Sequence, residues 1–379
     1  MLLFFLLFAL FVGIYGIYFV CVRVWAKKSW GLAIDNNFQP KVSILIPVHN
    51  EEKTVVDKLR NIKSVAYPKE NIEIIVTDDA SNDDTLQRVK SFVELNPDFN
   101  IRIVGQNVRA GKSAALNKAL LSSTNDVIIV SDADTQWPEE MLQKTLPYLA
   151  DSKIGAVTCG GANRNRGETW VTRSEDTYLH FANLIRLGES KLHSTIRFEG
   201  GFCAYKKNAF EKFDSETGAD DSGTALEVVQ RGYRAIMVPD ALFYTVFPTR
   251  LHSKLEMKAR RATQLTSLWV KCFKLLFKRQ LLLPKKIAIP EILLFILSPV
   301  ILLALIVTTI AAILLSPFSV FSLSILVIIG CLLIFARRIF VEGLIDNLVL
   351  FYALTSLLRG RRYTTWEKPQ PWTHKMLVT

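Results

Sequence analysis

Two aspartates, Asp132 and Asp134, follow a short apolar run in the segment VIIVSDADTQW, residues 127–137. The run is typical of a buried strand, so both carboxylates stand where that strand ends. Carboxylate oxygens are ligands that Mg²⁺ prefers, usually one or two of them together with phosphate oxygens of a substrate. The Asp-x-Asp pair therefore predicts that one carboxylate binds a divalent cation and that the other binds a nearby hydroxyl group.

Carboxylates also follow two other apolar runs, in PVHNEE (47–52) and in TDDASNDD (77–84). Helix capping is the structural alternative, because Asp, Ser and Asn side chains at a helix start bind free backbone amides. Capping accounts for residues 82–84, but it does not account for Asp78 and Asp79 converging with the Asp-x-Asp pair. Like charges at one edge repel unless a positive charge lies between them, so this pattern predicts a bound cation there.

The elements that must position these side chains alternate along the chain. Five β-branched runs are predicted strands, at residues 41–48, 72–79, 101–104, 126–134 and 154–159. The first four are each followed by a helix-like stretch, at residues 51–63, 83–95, 112–122 and 138–149. Such alternation predicts an α/β fold with a mostly parallel sheet and helices on both faces. In open sheets of this kind, ligands bind outside the carboxyl ends of the strands, where the carboxylates lie.

A Gly-Lys-Ser sequence within VRAGKSAALNKAL, residues 108–120, raises a second interpretation. The P-loop of a nucleoside triphosphatase has Gly, four residues, and then Gly-Lys-Ser or Gly-Lys-Thr. Here five residues separate Gly105 from Gly111, and the Gly-Lys pair follows the third strand, which argues against a P-loop. Lys112 is still suited to bind a diphosphate, as a point charge at a helix N-terminus.

Hydrophobic residues are concentrated at the two ends of the 379-residue chain, a length that allows about two domains. Residues 1–22 and 292–336 carry no charged side chain. A bilayer-spanning helix needs ~20 apolar residues, so the first stretch predicts one span and the second, interrupted by SPFS (316–319), predicts two. A cleaved signal peptide is the alternative for the first stretch, but it would have a basic region ahead of a shorter apolar core.

Basic residues follow the first apolar stretch at Arg23, Lys27 and Lys28, and the positive-inside rule then places residues 25–285 in the cytoplasm. The formal net charge is +11. Many of the basic residues flank apolar segments, so the charge favours contact with membrane lipids over nucleic-acid binding. The five cysteines are scattered without a close pair, a spacing that fits neither a disulfide framework nor a zinc site.

Two segments near the C-terminus suggest contact with a membrane surface. Residues 265–280 place apolar side chains on one helical face and lysines on another, which predicts a basic interfacial helix, with burial against the protein core as the alternative. Residues 340–358 are ambiguous, because Glu342 and Asp346 interrupt their apolar pattern. We interpret them as an interface helix and keep a further span as the alternative.

Five motifs, in order and spacing, resemble the membrane-embedded branch of glycosyltransferase family 2, which includes hyaluronan, chitin and cellulose synthases. They are ILIPVHNEE (44–52), VTDDASND (76–83), RAGKSAALNKAL (109–120), SDADTQW (131–137) and GADDSGTALEVVQRGYRAIMVPDA (218–241). The resemblance covers about residues 41–265. It implies a GT-A fold, which is a Rossmann-like α/β domain, and it implies the use of a nucleotide-diphosphate sugar with Mg²⁺ or Mn²⁺.

The resemblance also implies roles for individual residues. Asp134 would bind the metal, Asp132 would lie near the sugar and ribose, and Lys112 is placed to bind the diphosphate. Asp221 would be the general base, with Asp220 beside it on the acceptor side, where family members usually have glutamate. Further donor-binding residues lie at the ends of the first and second strands and in the turn after the first, at Pro47, Val48, Asn50, Glu51, Asp78 and Asp79.

The proposed base can also be argued from chemistry. A carboxylate that takes the proton of an acceptor hydroxyl typically contributes ~10²–10⁴-fold to the rate, and a single displacement from the opposite face inverts the anomeric configuration. The structural alternative is that Asp221 caps the N-terminus of a helix at residues 222–231.

Two further segments bear on the acceptor and the leaving group. In RFEGGFCAYKKNAF (197–210), Gly200 and Gly201 indicate either a bulged strand or a close approach of the acceptor. Polymerising family members have a Gln-x-x-Arg-Trp element, and LEMKARRATQ (255–264) offers Arg260 and Arg261 to bind the leaving diphosphate. Ala262 stands where the tryptophan would be, and this departure argues against processive synthesis.

Together these patterns predict four regions: a transmembrane helix at 1–24, a cytoplasmic GT-A domain at 25–261, an interface helix at 262–286, and a C-terminal membrane region with a cytoplasmic tail at 287–379. The predicted function is inverting transfer of a sugar, with a UDP-sugar favoured as donor, to a saccharide acceptor at the plasma membrane. Transfer to a polyprenyl phosphate is the enzymatic alternative. A sugar-nucleotide-binding partner subunit without catalytic activity is the non-enzymatic one.

Overall fold

The computed structural model describes residues 2–360 and divides them into two compact units. The α/β unit comprises residues 24–254, and the helical unit comprises residues 2–23 and 255–360. The first unit thus ends before the predicted domain boundary at residue 261. The predicted cytoplasmic tail beyond residue 360 lies outside the described residues.

The α/β unit contains a seven-stranded sheet in the order β3-β2-β1-β4-β6-β5-β7. Neighbouring strands are parallel, except that β6 runs antiparallel to both β4 and β5. The strands are β1 (Val42–Val48), β2 (Ile72–Asp78), β3 (Ile101–Gly105), β4 (Val127–Val130), β5 (Ile154–Asn163), β6 (Cys203–Lys206) and β7 (Arg234–Thr245). The predicted α/β fold with a mostly parallel sheet is confirmed.

Helices cover the sheet as the strand–helix alternation predicts. They are α2 (Val55–Ser64), α3 (Thr85–Glu94), α4 (Lys112–Ser122), α5 (Met141–Thr145), α6 (Trp170–Leu192) and α7 (Asp220–Gln230). Every residue of β1 and β2 is buried, as expected for central parallel strands with both faces covered. The core combines these strands with apolar residues of α2, α3 and α5.

Two predicted strands differ in length from the observed ones by more than one residue. The strand predicted at 126–134 ends at Val130, because the backbone N–H of Asp132 donates to Gly200 O at 2.9 Å and the chain turns out of the sheet. The strand predicted at 154–159 continues to Asn163, since its last residues pair with β7. The Asp-x-Asp pair therefore lies in a turn after the strand.

The helical unit contains most of α1 (Leu2–Ala26), most of α8 (Leu251–Phe277), α9 (Lys285–Ile292), α10 (Ser298–Leu315), α11 (Val320–Phe335) and α12 (Arg337–Leu358). Three segments within residues 2–360 are long and apolar enough to cross a membrane: Leu2–Ala26, Lys285–Leu315 and Phe340–Leu358. The turn predicted at residues 316–319 separates α10 from α11. With 16 residues, α11 is about 24 Å long, shorter than the ~30 Å hydrocarbon core.

The interface helix predicted at 262–286 has different bounds. The helix α8 begins at Leu251 and ends at Phe277, and a new helix, α9, begins at Lys285. The predicted apolar face is largely buried in the protein, with Leu268 and Cys272 inaccessible and the ring of Trp269 5.9 Å from that of Phe295. The alternative of burial against protein therefore describes this face better than contact with a membrane surface.

An ionic cluster within the helical unit explains the charges that interrupt residues 340–358. The ammonium group of Lys258, on α8, lies 3.0 Å from Glu342 Oε2 and 2.6 Å from Asp346 Oδ1, both on α12. Lys258 is buried and Asp346 is about one-third exposed. The two carboxylates thus pair with a lysine of a neighbouring helix, which is the usual arrangement for ionisable groups among apolar helices.

Replacement of Lys258 by Met is expected to lower the stability of the protein in detergent. The substitution removes the ammonium group that lies within ion-pair distance of Glu342 and Asp346, and breaking a buried pair costs ~3–5 kcal/mol. We expect about 2–3 kcal/mol here, because Asp346 is partly exposed and water screens it. Thermal melting would measure the loss. The triple variant with Glu342→Gln and Asp346→Asn should recover much of it, and equal melting of Lys258→Met and wild type would contradict the prediction.

Candidate active site

Lys112 is the centre of an ionic cluster at the carboxyl edge of the sheet. It is the first residue of α4, and its ammonium group lies 2.9 Å from Asp132 Oδ1 and 3.1 Å from Asp220 Oδ2. Burial alone would lower the pKa of Lys112, but the carboxylates of Asp132, Asp220 and Asp221 raise it well above its usual value. Lys112 therefore remains a cation, and three of the predicted site residues are brought into contact.

Gly200 lies directly against this cluster. A Cβ atom at this position would be 2.7 Å from Lys112 Nζ and 2.9 Å from Asp132 Oδ2. The neighbouring Gly201 faces the protein core instead, where a Cβ would lie 2.3 Å from the ring of Phe243. Gly200 therefore lets the backbone lie close to the ionic cluster, and Gly201 lets it lie close to the buried ring of Phe243.

The substitutions Gly200→Ala and Gly201→Ala are expected to have different consequences. Gly200→Ala displaces the flexible end of Lys112 and should lower kcat/KM for the donor roughly 10- to 100-fold, with little change in melting temperature. Gly201→Ala overpacks the core against Phe243 and should destabilise the fold by about 1–3 kcal/mol. Melting curves and steady-state kinetics of both variants test this, and a stability loss confined to Gly200→Ala would contradict it.

Asp220 and Asp221 stand together at the start of α7. The helix begins at Asp220 with Ala219 as its N-cap, so Asp221 lies inside the first turn and is not the N-cap. Its Oδ1 accepts a hydrogen bond from the Ser222 amide at 2.6 Å. Burial and the charge of Asp220 raise the pKa of Asp221 to about 7, and burial also raises the pKa of Asp220.

The two carboxylates differ in what they contact. Asp220 forms an ion pair with Lys112, whereas Asp221 is half-buried and no cation lies within ion-pair distance of it among the described residues. A carboxylate with a pKa near neutrality is suited to accept a proton at pH 7, because general bases work best when their pKa is close to the operating pH. Asp221 is therefore the better candidate base of the two.

The carboxylate of Asp79 positions the loop that carries Lys112. Its Oδ1 accepts from the Ala110 amide at 2.7 Å and its Oδ2 from the Gly111 amide at 2.8 Å. The side chain of Gln106 donates to the same carboxylate at 3.2 Å. Gly111 has φ of +92°, a conformation that favours glycine. Asp79 thus fixes the N-terminus of α4, in addition to the predicted contact with a nucleoside.

The turn after β1 lies beside the end of β2, as the predicted donor site requires. Val48 pairs with Asp78 in the sheet. Asn50 adopts a left-handed conformation with φ of +54°, and its Oδ1 accepts from the Asn82 amide at 3.0 Å. The buried Glu51 accepts a hydrogen bond from Thr54 at 2.5 Å. Pro47 is the next-to-last residue of the same strand, so the predicted nucleoside-binding residues lie together at one edge of the sheet.

The carboxylates at this edge fit a divalent cation that is shared with a phosphate-bearing ligand. Within residues 2–360, no group of three or more His, Cys, Asp or Glu side chains is arranged to hold a metal ion. The protein would therefore supply one or two oxygen ligands from the Asp132–Asp134 turn, and a substrate would supply the rest. Three carboxylates, those of Asp132, Asp220 and Asp221, act on the single positive charge of Lys112, and Asp134 follows two residues after Asp132. This excess of negative charge favours a bound cation.

Arg260 and Arg261 lie on α8 in the helical unit, and their predicted contact with the leaving diphosphate stays a prediction.

Lys58 and Trp137 were not predicted as site residues, yet they pack against each other next to the Asp132–Asp134 turn. The sequence signal for Lys58 is its place on the apolar face of α2, three residues after Val55 and four before Ile62.

Comparison with known proteins points to one family. Residues 43–214 match the family model described as Glycosyl transferase family 2. A solved structure of the mannosyltransferase PcManGT from Pyrobaculum calidifontis, in complex with GDP-Man and Mn²⁺, is similar with a TM-score of 0.82 and 29% identity. That similarity covers 95% of this chain and 99% of the other.

Curated relatives match part of the chain. The probable glycosyltransferase YdaM of Bacillus subtilis is 33% identical over 217 residues, which are 55% of this chain and 51% of the relative. An N-acetylglucosaminyltransferase of Rhizobium meliloti is 27% identical over 237 residues, which are 59% of this chain and 55% of the relative. The chain therefore spans about half the length of these relatives.

Proposed function

The chain carries a glycosyltransferase family 2 domain of the GT-A fold, and from this premise we propose that it transfers a sugar from a nucleotide-diphosphate sugar to an acceptor at a membrane, with inversion at the anomeric carbon. The observation that carries the proposal is the contact of Lys112 with Asp132 and Asp220, beside Asp221, at the carboxyl edge of the sheet. This arrangement combines a diphosphate-binding cation with a candidate base.

The residues of the chain divide the reaction between donor and acceptor. Lys112 binds the diphosphate, and Asp132, which contacts it, orients the sugar of the donor. Asp221 takes the proton of the acceptor hydroxyl as the acceptor oxygen attacks the anomeric carbon and the bond to the diphosphate breaks. Because the base and the leaving group act on opposite sides of that carbon, a single displacement inverts its configuration.

Mg²⁺ or Mn²⁺ bound by Asp134 would neutralise the charge that develops on the leaving diphosphate. Asp79 supports the same step by fixing the loop at residues 106–111, from which the helix with Lys112 begins. The lysine ammonium group and the carboxylate turn are thereby held together before the donor binds, and such preorganisation lowers the cost of placing the reacting groups.

The comparison that spans the chain supports one choice of donor. The Pyrobaculum mannosyltransferase is similar along 95% of this chain and was solved with GDP-Man and Mn²⁺, whereas the N-acetylglucosaminyltransferase matches 59% of it. We therefore propose GDP-mannose as the first donor to test, in place of the UDP-sugar that the family resemblance favoured.

The acceptor is proposed to be a saccharide or a lipid-linked saccharide, with transfer to a polyprenyl phosphate as the alternative. The three apolar helices support a place in the plasma membrane, and the positive-inside rule supports a cytoplasmic α/β unit. Membrane lipids would then surround the helical unit, and nucleic acid is not an expected partner.

A donor screen in detergent tests this function. Full-length protein with Mn²⁺ would be given GDP-mannose or UDP-N-acetylglucosamine together with membrane-lipid extracts or oligosaccharides, and release of the nucleoside diphosphate would be measured. We expect release that requires the metal and differs between the two donors, with labelled sugar in the saccharide fraction. Label on polyprenyl phosphate would support the alternative. Binding of a donor with neither transfer nor hydrolysis would instead favour the non-catalytic partner subunit.

A further inference from the structure

The side chain of Lys58 lies in an unusual environment beneath the candidate active site. It projects from α2 into the core, with 1% of its surface exposed, and its ammonium group has no hydrogen-bond partner among the described residues. A buried ammonium group without a hydrogen bond is unfavourable for folding. A lysine in this position therefore calls for an interaction that uses its charge.

The ring of Trp137 provides that interaction. The ammonium nitrogen of Lys58 lies 4.0 Å from the ring centroid, well within the ~6 Å over which a cation is attracted to an aromatic face. The desolvated surroundings of both groups strengthen this attraction. Burial lowers the pKa of Lys58 to about 7, while Asp132 and Asp134 act in the opposite direction. Lys58 is thus electrostatically coupled to both aspartates of the turn.

Trp137 ends the turn that carries these aspartates, and further contacts hold it from both sides. Its backbone amide donates to Asn61 Oδ1, and the Asn61 side chain donates to Trp137 O, each at 2.8 Å. On the opposite side, its indole N–H donates to Gly201 O at 2.7 Å. Trp137 therefore links α2 to Gly201, which follows the glycine that lies against Asp132 and Lys112.

We propose that Lys58 is a positioning residue, whose ammonium group holds the ring of Trp137 and thereby fixes the turn with Asp132 and Asp134. The inference rests on the proposed function for its catalytic consequence, but the fixing of the turn can be measured without any reaction. The competing explanation is that the aliphatic part of Lys58 fills space in the core. Met retains that bulk without the charge, so it separates the two explanations.

Amide hydrogen exchange of the full-length protein in detergent measures the turn directly, at a pH below the pKa of about 7 of Lys58 so that its charged form dominates. In Lys58→Met we expect residues 131–137 to exchange about tenfold faster than in wild type, as for the loss of one buried cation–π contact. Exchange in β1 and β2 should stay unchanged. Lys58→Arg, which keeps a cation, should retain more protection than Lys58→Met. The matched control is Lys63→Met, which removes an exposed lysine from the same helix and should match wild type.

Kinetics add a second measurement once a donor is known. Lys58→Met should lower kcat about tenfold at saturating donor and Mn²⁺, with a smaller change in KM and a melting temperature at or above that of wild type. If the protein did not transfer a sugar, the kinetic measurement would be lost, but the exchange measurement would still test the role of Lys58. Unchanged exchange at residues 131–137 in Lys58→Met would overturn the proposal. A lower melting temperature together with faster exchange in every core strand would also overturn it, because that result would assign Lys58 a packing role.

Discussion

Replacement of Asp221 by Asn is expected to lower kcat for sugar transfer by about 10²–10⁴-fold, the usual contribution of a general base. The amide is nearly isosteric but does not accept the proton of the acceptor hydroxyl. Asp221 is not in contact with Lys112, so the nucleotide site remains intact. Binding of the nucleoside diphosphate, measured by calorimetry in the presence of Mn²⁺, should therefore change little.

The pH dependence of the reaction tests the same assignment. Burial and the charge of Asp220 raise the pKa of Asp221 to about 7, and the base acts in its deprotonated form. The rate should therefore rise with pH through a midpoint near 7 and level off above it. Because the two carboxylates are neighbours, the apparent midpoint belongs to the pair.

Asp220→Asn serves as the matched control, because it removes the neighbouring negative charge and leaves Asp221 in place. The pKa of Asp221 should fall, and the midpoint of the pH–rate profile should move to lower pH while measurable turnover remains. If Asp220→Asn abolished transfer and Asp221→Asn merely shifted the profile, the roles of the two carboxylates would be reversed.

Much of the fold could be predicted from the sequence because the signals are local and repeated. Runs such as KVSILIPV and IEIIVTDD are buried on both faces, and composition alone identifies such strands. For β6, the sequence offered a bulged strand within residues 197–210 as one of two interpretations, but not its antiparallel direction, and β7 was not among the five predicted strands. The end of β4 was also misjudged, because a tertiary hydrogen bond from Asp132 to Gly200 turns the chain out of the sheet.

Part of the candidate site could likewise be predicted from the sequence. Lys112, Asp132 and Asp220 were predicted from motifs, and the structure brings them into contact. The sequence did not indicate that Asp79 binds the loop amides of Ala110 and Gly111, because that contact depends on how two loops meet. Helical periodicity alone would place a lysine such as Lys58 on a buried face, but its partner comes from a segment far along the chain.

The charge of the site explains why a change at Asp134 should have an effect as large as one at the base. The diphosphate of the donor is an anion, and it must bind among the four carboxylates of this edge with one lysine in contact. Electrostatic repulsion would exclude it unless a divalent cation bound first or together with it. Asp134 is two residues from Asp132 on the same turn, half-buried, and it is the carboxylate proposed to hold that cation.

Asp134→Asn is accordingly expected to reduce transfer by ~10³-fold, the loss of several kcal/mol of metal-derived stabilisation. It should also abolish the increase in melting temperature that Mn²⁺ and nucleoside diphosphate together produce in wild type, since a ligand stabilises the native state according to its affinity. Asp126→Asn is the control, because Asp126 is exposed and precedes the same strand at its opposite end. If Asp134→Asn kept its Mn²⁺ dependence, Asp132 would become the metal ligand, and Lys112 would then have to release it when the donor binds.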